Sequence, residues 1–119
     1  MTNRYWVMIM KIAVIGSRNL VIQDLGKYLS KDVTEIISGG GKEIDTCARE
    51  YALANSIKLT EFLPEYKKYG RSAPLKRNLQ IIDYADLVLA FWDGKSKGTK
   101  FVIEHCKARN KTVRIFLAK

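Results

Sequence analysis

The sequence predicts an α/β fold, a single Rossmann-like three-layer α/β/α domain built on a five-stranded parallel sheet. Short apolar runs rich in β-branched residues recur along the chain, each ends in a polar or glycine-containing break, and segments with apolar residues three and four positions apart lie between them. Strand and helix alternating in this way is the pattern of a parallel sheet covered on both faces. Right-handed crossovers leave few topologies, and strand order 3-2-1-4-5 is the expected one. At 119 residues the chain can bury one core but not two, so residues 1–119 are read as one domain.

KIAVIG, from Lys11 to Gly16, is the first strand, a buried-type run that stops at Gly16-Ser17-Arg18-Asn19. Met10-Lys11 is a natural start in itself, so Met1 to Ile9 is either a peripheral extension or a lengthening of that strand. Ile22, Leu25 and Leu29 predict a first helix from about Val21 to Ser30. Val33 to Ile37 is the second strand, ended by Ser38-Gly39-Gly40-Gly41. Ile44, Cys47, Ala48, Tyr51 and Ala52 form the most regular helical stripe in the chain and predict the second helix. Lys58 to Leu63 is the third strand, and Pro64 to Pro74, with its prolines, glycine and tyrosines, reads as one long loop. Leu75, Leu79 and Ile82 predict the third helix, and Asp86 to Trp92 the fourth strand. Thr99, Val102, Ile103 and Cys106 mark the inner stripe of the fourth helix, with Thr99 at its N-cap, and Thr112 to Leu117 is the fifth strand.

An apolar fraction of 47% with 28% charged residues is the balance of a soluble globular protein and argues against disorder. The apolar stretch from Trp6 to Met10 is cut by Lys11 and resumes only to Ile15, short of the roughly 20 residues a membrane span needs. No cleavable small-residue site follows it, so a cytoplasmic protein without a membrane partner is expected. Cys47 and Cys106 fall on helical positions and read as small buried hydrophobes; with no second ligand at metal spacing, neither a metal site nor a cofactor is expected. His105, the one histidine, reads as structural or solvated, and the Asn110-Lys111-Thr112 acceptor pattern has no secretion signal to give it weight. The net charge of +9 is uneven: residues 1–63 hold 8 Lys/Arg against 7 Asp/Glu, and residues 64–119 hold 13 against 5. A basic second half points to an anionic partner, whether phosphate, nucleotide or nucleic acid; a solvated surface is the plain alternative.

In an open parallel sheet the strand-to-helix loops leave from one edge, and ligands bind there. Three glycine-containing segments fall at such ends: Gly16-Ser17-Arg18, Ser38-Gly39-Gly40-Gly41, and Asp93-Gly94-Lys95-Ser96-Lys97-Gly98-Thr99. Glycine lets backbone approach an anion, and the N–H groups at the start of the following helix favour phosphate. Gly16 to Val21 does not fit the dinucleotide glycine pattern, and Leu89 stands where a P-loop ending at Gly94-Lys95-Ser96 needs its leading glycine, so both motifs are excluded. Arg77 and Asn78, at the start of the third helix, are further candidate ligand residues, and Tyr66, Tyr69 or Trp92 could stack on a base.

Taken together, Gly16-Ser17-Arg18, SGGGKEID from Ser38 to Asp45, Lys76-Arg77-Asn78 and AFWDGKSKGT from Ala90 to Thr99 resemble the SLOG superfamily of Rossmann-like domains, closest to its small bacterial and phage DUF2493 or YspA-like branch. The resemblance runs from Lys11 to Phe116 and implies binding of a nucleotide or nucleotide-derived phosphorylated ligand. In that arrangement Gly16, Ser17, Gly39, Gly40, Gly98 and Thr99 cradle phosphate, Arg18 and Arg77 neutralise it, and Asn78 and Asp93 hydrogen-bond sugar or base. Ser38, Gly41, Gly94 and Ser96 complete the expected ligand-binding set, and Asp45 is expected to brace the loop before the second helix. Relatives of this kind often form homodimers, although no exposed apolar stripe in the sequence demands one.

Two related groups imply different activities. The LOG phosphoribohydrolases cleave the N-glycosidic bond of a nucleoside monophosphate with a glutamate that follows the fourth-loop GT within three residues. Here Phe101 and Val102 stand in those places, and Glu104, five residues beyond Thr99, points about 140° away around the helix, so enzyme activity is left open. The DprA Rossmann core, which shares the GSR, glycine-rich and RN segments, binds single-stranded DNA and implies steeply salt-dependent nucleic-acid binding. Lys42-Glu43 replaces basic and glycine residues there, and the acid opposes a phosphate backbone.

Overall fold

A computed structural model describes residues 9–40 and 43–117; the expectations for Gly41 and for the segment before Ile9 lie outside the described residues. Five strands, β1 (Lys11–Gly16), β2 (Glu35–Ser38), β3 (Lys58–Glu61), β4 (Leu87–Trp92) and β5 (Val113–Leu117), pair in parallel in the order β3-β2-β1-β4-β5, as expected. The helices are α1 (Ile44–Ala54), α2 (Tyr66–Tyr69), α3 (Ala73–Tyr84) and α4 (Lys97–Ala108).

Alternation along β1 divides the core into two. Ile12 and Val14 point to one face, where they meet Ile36, Leu89 and Phe91 and the α1 stripe of Ile44, Ala48 and Ala52. Ala13 points to the other, with Ile37 and Val88, against Ile81 and Ile82 of α3 and Val102 and Cys106 of α4. Both faces of the central strands are therefore covered, which is why β1 and β4 read as nearly unbroken apolar runs. Register pairs Gly16 with Phe91 and Ser38 with Glu61, so the carboxyl ends of β1, β2, β3 and β4 open on one edge. Among the described residues no helix is long and apolar enough to cross a membrane.

Several expected elements differ. The helix from Val21 to Ser30 is absent; only a 3-10 turn forms, at Leu25–Tyr28. Leu25 and Leu29 are buried as the spacing required, but an irregular strap achieves this as well as a helix would. Val21 and Ile22 are β-branched and Gly26 sits mid-segment, so a short helix has little intrinsic support. Gly26 also has to stay bare, because a Cβ there would lie 2.9 Å from the Tyr51 ring of α1. In place of a helix, Tyr28 lays its ring edge-on to Phe91 at 5.1 Å and Phe116 at 4.8 Å.

The long loop from Pro64 to Pro74 is mostly helical, holding α2, a 3-10 turn at Gly70–Ser72 and the start of α3. Pro74 lies in the first turn of α3, where its missing N–H has no partner to lose, so it begins a helix rather than prolonging a loop. β2 starts at Glu35 and includes Ser38, and β3 stops at Glu61, each displaced from its expected bounds by one or two residues at an end. Cys106 is buried, and burial pushes its thiol up to about 11, whereas Cys47 is only half-buried on the flank of α1 and is not a core residue. His105 stacks on Phe101 at 3.9 Å, and its Nδ1 lies 2.9 Å from the Phe101 carbonyl oxygen.

At the amino edge of the sheet, Glu35 is a buried carboxylate. It accepts hydrogen bonds from Thr60 Oγ1 at 2.5 Å and Tyr84 Oη at 2.7 Å, and Lys58 Nζ lies 3.7 Å away. Burial pushes its pKa up, but the two hydroxyls and the charges of Lys58 and Lys11 together outweigh it, and the net direction is downward from 4.5. A carboxylate lowered in the folded state contributes stability in full above its unfolded pKa and loses it as pH falls through the folded one. Wild-type melting temperature should therefore fall as pH drops below about 4.5. Glu35→Gln, followed by thermal denaturation across that range, should start lower at neutral pH and show a shallower acid-side fall; equal slopes would show that Glu35 supplies none of it. Glu35→Ala, which leaves both hydroxyls without their acceptor, should cost about 1–2 kcal/mol in urea unfolding.

Candidate functional site

Where β1 ends, the Ser17 backbone N–H donates to the Phe91 carbonyl at 2.9 Å, extending the β1–β4 ladder by one step. This places the Ser17 side chain, 1% exposed, between two loops. Its Oγ accepts from the Asp93 N–H at 3.1 Å and lies 3.3 Å from Thr99 Oγ1, joining the end of β1 to the end of β4 and to α4. Gly16 is bare for a packing reason, since a Cβ would come within 3.1 Å of Ile44.

The loop from Asp93 to Ser96 is held by its own groups. Asp93 Oδ1 accepts from the N–H groups of Ser96 at 2.7 Å and Lys95 at 2.8 Å, an Asx turn, and these bonds hold the carboxyl below the usual carboxylate range. Trp92 Nε1 donates to the Ser96 carbonyl at 3.0 Å, so the indole braces the loop from beneath. Gly94, at φ 82°, makes the turn. Ser96, not Thr99, caps α4: its Oγ accepts from the Thr99 N–H at 3.5 Å, which puts Thr99 in the third helical position. The sequence pointed to Thr99 because the apolar stripe starts there, but the polar first turn of α4 lies ahead of it.

A helix begins with four N–H groups that have no partner in its own ladder. At α4 the Ser96 and Thr99 N–H groups are met by Asp93 and Ser96, while those of Lys97 and Gly98 have no acceptor among the described residues. No acidic residue stands in this first turn. A Cβ on Gly98 would meet nothing within 4 Å, so no protein packing requires a glycine there.

The glycine loop after β2 is arranged differently. Ser38, fully buried, accepts from the Gly40 N–H at 3.2 Å through Oγ, and Asp45 Oδ1 accepts from the Gly39 N–H at 3.3 Å. Arg77 reaches across from α3: Nη1 donates to the Gly39 carbonyl at 2.9 Å and to the Phe62 carbonyl at 3.5 Å, and Nε donates to Asn78 Oδ1 at 2.8 Å. Burial lowers the Arg77 pKa, opposed by the charges of Asp45 and Tyr66. The guanidinium thus positions the ends of β2 and β3, and a Cβ on Gly39 would lie 2.6 Å from Nη1.

These loops surround one cleft of about 1140 Å³. Of the residues expected to bind ligand, Gly16, Ser17, Arg18, Gly39, Gly40, Arg77, Asn78, Asp93, Ser96, Gly98 and Thr99 all line it. Ser38 lies behind it as a buried support and Gly94 at an exposed loop tip; neither is part of the lining. The cleft also has an apolar wall that the sequence did not suggest, made by Leu63, Pro64, Tyr66, Pro74 and Leu75. Leu63 is 61% exposed, Tyr66 60% and Leu75 41%, unusual for large apolar side chains gathered on one wall. Two prolines flanking a tyrosine were the available signal, but they read as loop punctuation. Glu104 is exposed on α4 and outside the lining, and among the described residues no group of three His, Cys, Asp or Glu is placed to hold a metal.

The glycines give a pair of opposite outcomes in thermal or urea unfolding. Gly98→Ala, in open space on a helix, should stabilise the ligand-free protein by up to about 1 kcal/mol. Gly40→Ala, at φ 70° and with its Cβ directed at Leu63 Cδ2, should destabilise it by about 1–2 kcal/mol. Comparison of the chain with protein-family models, with curated proteins and with solved structures finds no match in any of the three.

Proposed function

We propose that this cleft binds a nucleotide or nucleotide-derived phosphorylated ligand, as the resemblance to the SLOG domains implies. The observation that carries it is the start of α4: two N–H groups without acceptors among the described residues, no carboxylate in the first turn, and a glycine that nothing in the protein requires. Glycine in a helix is unfavourable by roughly 1 kcal/mol relative to alanine, and close approach of a ligand accounts for its use here. Phosphate sits at Lys97 and Gly98, beside the Lys95 and Lys97 ammonium groups and the Ser17–Thr99 hydroxyl pair, as helix starts favour. Sugar and base extend toward Tyr66, Leu63 and Leu75, whose exposed apolar surface supports a flat partner.

A thermal-shift screen tests this. Nucleoside phosphates should raise the melting temperature in proportion to affinity while the matching unphosphorylated nucleosides give little shift. Lys95→Glu combined with Lys97→Glu should abolish the difference, and Gly98→Val should weaken it about tenfold by occupying the phosphate seat. Equal shifts from nucleoside and nucleotide would remove the phosphate reading, and release of free base during the incubation would show that the ligand is consumed in LOG fashion.

The basic segment that neighbours the cleft's apolar wall in sequence favours a second activity, binding of single-stranded nucleic acid. Lys67, Lys68, Arg71 and Lys76 are exposed on it, and none is ion-paired among the described residues. Lys68 and Lys76 lie 5.1 and 5.8 Å from the Tyr69 ring centroid, a basic surface interleaved with an aromatic one. Single-strand affinity should then fall steeply with salt, about tenfold or more between 50 and 200 mM, in a fluorescence-anisotropy titration. A flat response would count against it.

A further inference from the structure

Between β3 and α3 lies a segment, residues 64–72, that is bonded mainly to itself. Its two ends are fixed. Before it, the Phe62 N–H donates to the Ser38 carbonyl at 2.9 Å and the Phe62 ring packs edge-on to Tyr84 at 5.6 Å. After it, Ala73 is fully buried at the start of α3. In between, the backbone bonds of α2 and the 3-10 turn close on the segment and its border with α3. The Lys68 and Tyr69 N–H groups donate to the Glu65 carbonyl, the Gly70 N–H to that of Tyr66 and the Ala73 N–H to that of Gly70. No residue of α2 or of the turn is buried. Side-chain links out of it are thin among the described residues: Lys76 Nζ, on α3, lies 5.8 Å from the Tyr69 ring centroid, and the Tyr66 phenol is near enough to Arg77 to act on its guanidinium. A segment with so few buried contacts shifts at lower free energy than the sheet it joins.

Gly70 supplies a pivot. Its φ of 58° and ψ of −132° favour glycine, and a Cβ there would meet nothing within 4 Å, so the position is set by the turning of the backbone and not by packing. Tyr66, the first residue of α2, lines the cleft while remaining 60% exposed. The segment holds Lys67, Lys68 and Arg71 against Glu65, three cations to one acid. The cleft it borders, at about 1140 Å³, is larger than the roughly 300–1,000 Å³ of most small-molecule sites.

We infer that residues 64–72 form a lid that closes over a bound phosphorylated ligand, with Tyr66 as its clasp and Gly70 as its pivot. This rests on the nucleotide reading of the cleft. A ligand shifts such an equilibrium only through contacts it makes better in one state than in the other. Two are at hand. The Tyr66 ring, brought against the base, buries apolar surface that it now shows to water, and the net positive segment is drawn toward phosphate at the start of α4. Closure also expels water from around the phosphate, which strengthens its bonds to the Lys97 and Gly98 amides.

The test is the distance between spin labels at Lys68→Cys on the lid and Lys100→Cys on α4, both exposed positions outside the cleft lining, measured by double electron–electron resonance. Cys47→Ser removes the half-buried thiol from labelling, and Cys106, buried and with its thiol pushed up to about 11, stays in place. Adenosine and guanosine mono- and triphosphates are added in turn, with binding followed separately by calorimetry. Each nucleotide that binds should shorten the distance by more than about 2 Å. Tyr66→Ala in the same labelled protein should keep the distance long and weaken affinity about threefold or more. An unchanged distance while calorimetry shows binding overturns the lid and leaves the nucleotide reading standing, and full shortening in Tyr66→Ala overturns the clasp. Absence of binding by all four nucleotides overturns that reading itself, and the lid with it.

Discussion

Ser17 stands where β1 runs out, and its hydroxyl, buried almost completely, must find partners inside the protein. It finds them in the Asp93 N–H and in Thr99 Oγ1. Both belong to the far side of β4, so satisfying one small side chain fixes how the β1 turn, the β4 turn and the first turn of α4 sit against one another. An unsatisfied hydroxyl at such depth is unfavourable by about 1–3 kcal/mol, a sizeable share of a small domain's stability. The parallel register brings the strand ends to one edge, and this joint sets their spacing to within a hydrogen bond.

On the opposite side of the cleft, the same demand is met by charge. Arg77 is more buried than a guanidinium tolerates without partners, and two backbone carbonyls and Asn78 supply them. A cation used in this way orders the ends of β2 and β3 and has fewer donors left to offer a ligand. The division of labour follows: the exposed lysines at the start of α4 have no ion pair among the described residues, and the half-buried arginine shapes the opposite side of the cleft. Glycines divide likewise. Gly16 and Gly39 are bare because protein atoms crowd them, Gly40 and Gly94 because the backbone turns through positive φ, and Gly98 for neither reason.

Most of the sheet was legible in the sequence because parallel strands buried on both faces leave unbroken apolar runs such as KIAVIG and LVLAF, and the α1 stripe has no competing period. The strand order followed from chirality and alternation. The failures share a cause. Ile22, Leu25 and Leu29 show which residues are buried but not which backbone buries them, and the collision of Gly26 with Tyr51 is a tertiary fact. Pro64 and Pro74 were read as breakers when the second begins a helix, and that concealed the apolar wall. In the site, the loops and their glycines were legible from residue type and position. The partners of Arg77, Asn78 and Asp93 were not, because a side chain's choice between a ligand and a nearby carbonyl or amide depends on distances set by other elements.

The irregular strap between β1 and β2 has a dynamic consequence. Its backbone bonds are few and long, 3.2 to 3.4 Å at Leu20, Lys27, Leu29 and Val33, and its attachment to the sheet is chiefly the packing of Leu25, Leu29 and Tyr28. A segment held by side chains rather than by a hydrogen-bond ladder can lift away at lower free energy than the strands beneath it. Ser17, where the strap begins, is pinned to Phe91, Asp93 and Thr99, so the segment that can breathe starts beyond it, and the edge of the cleft and all five strands stay in place while it does.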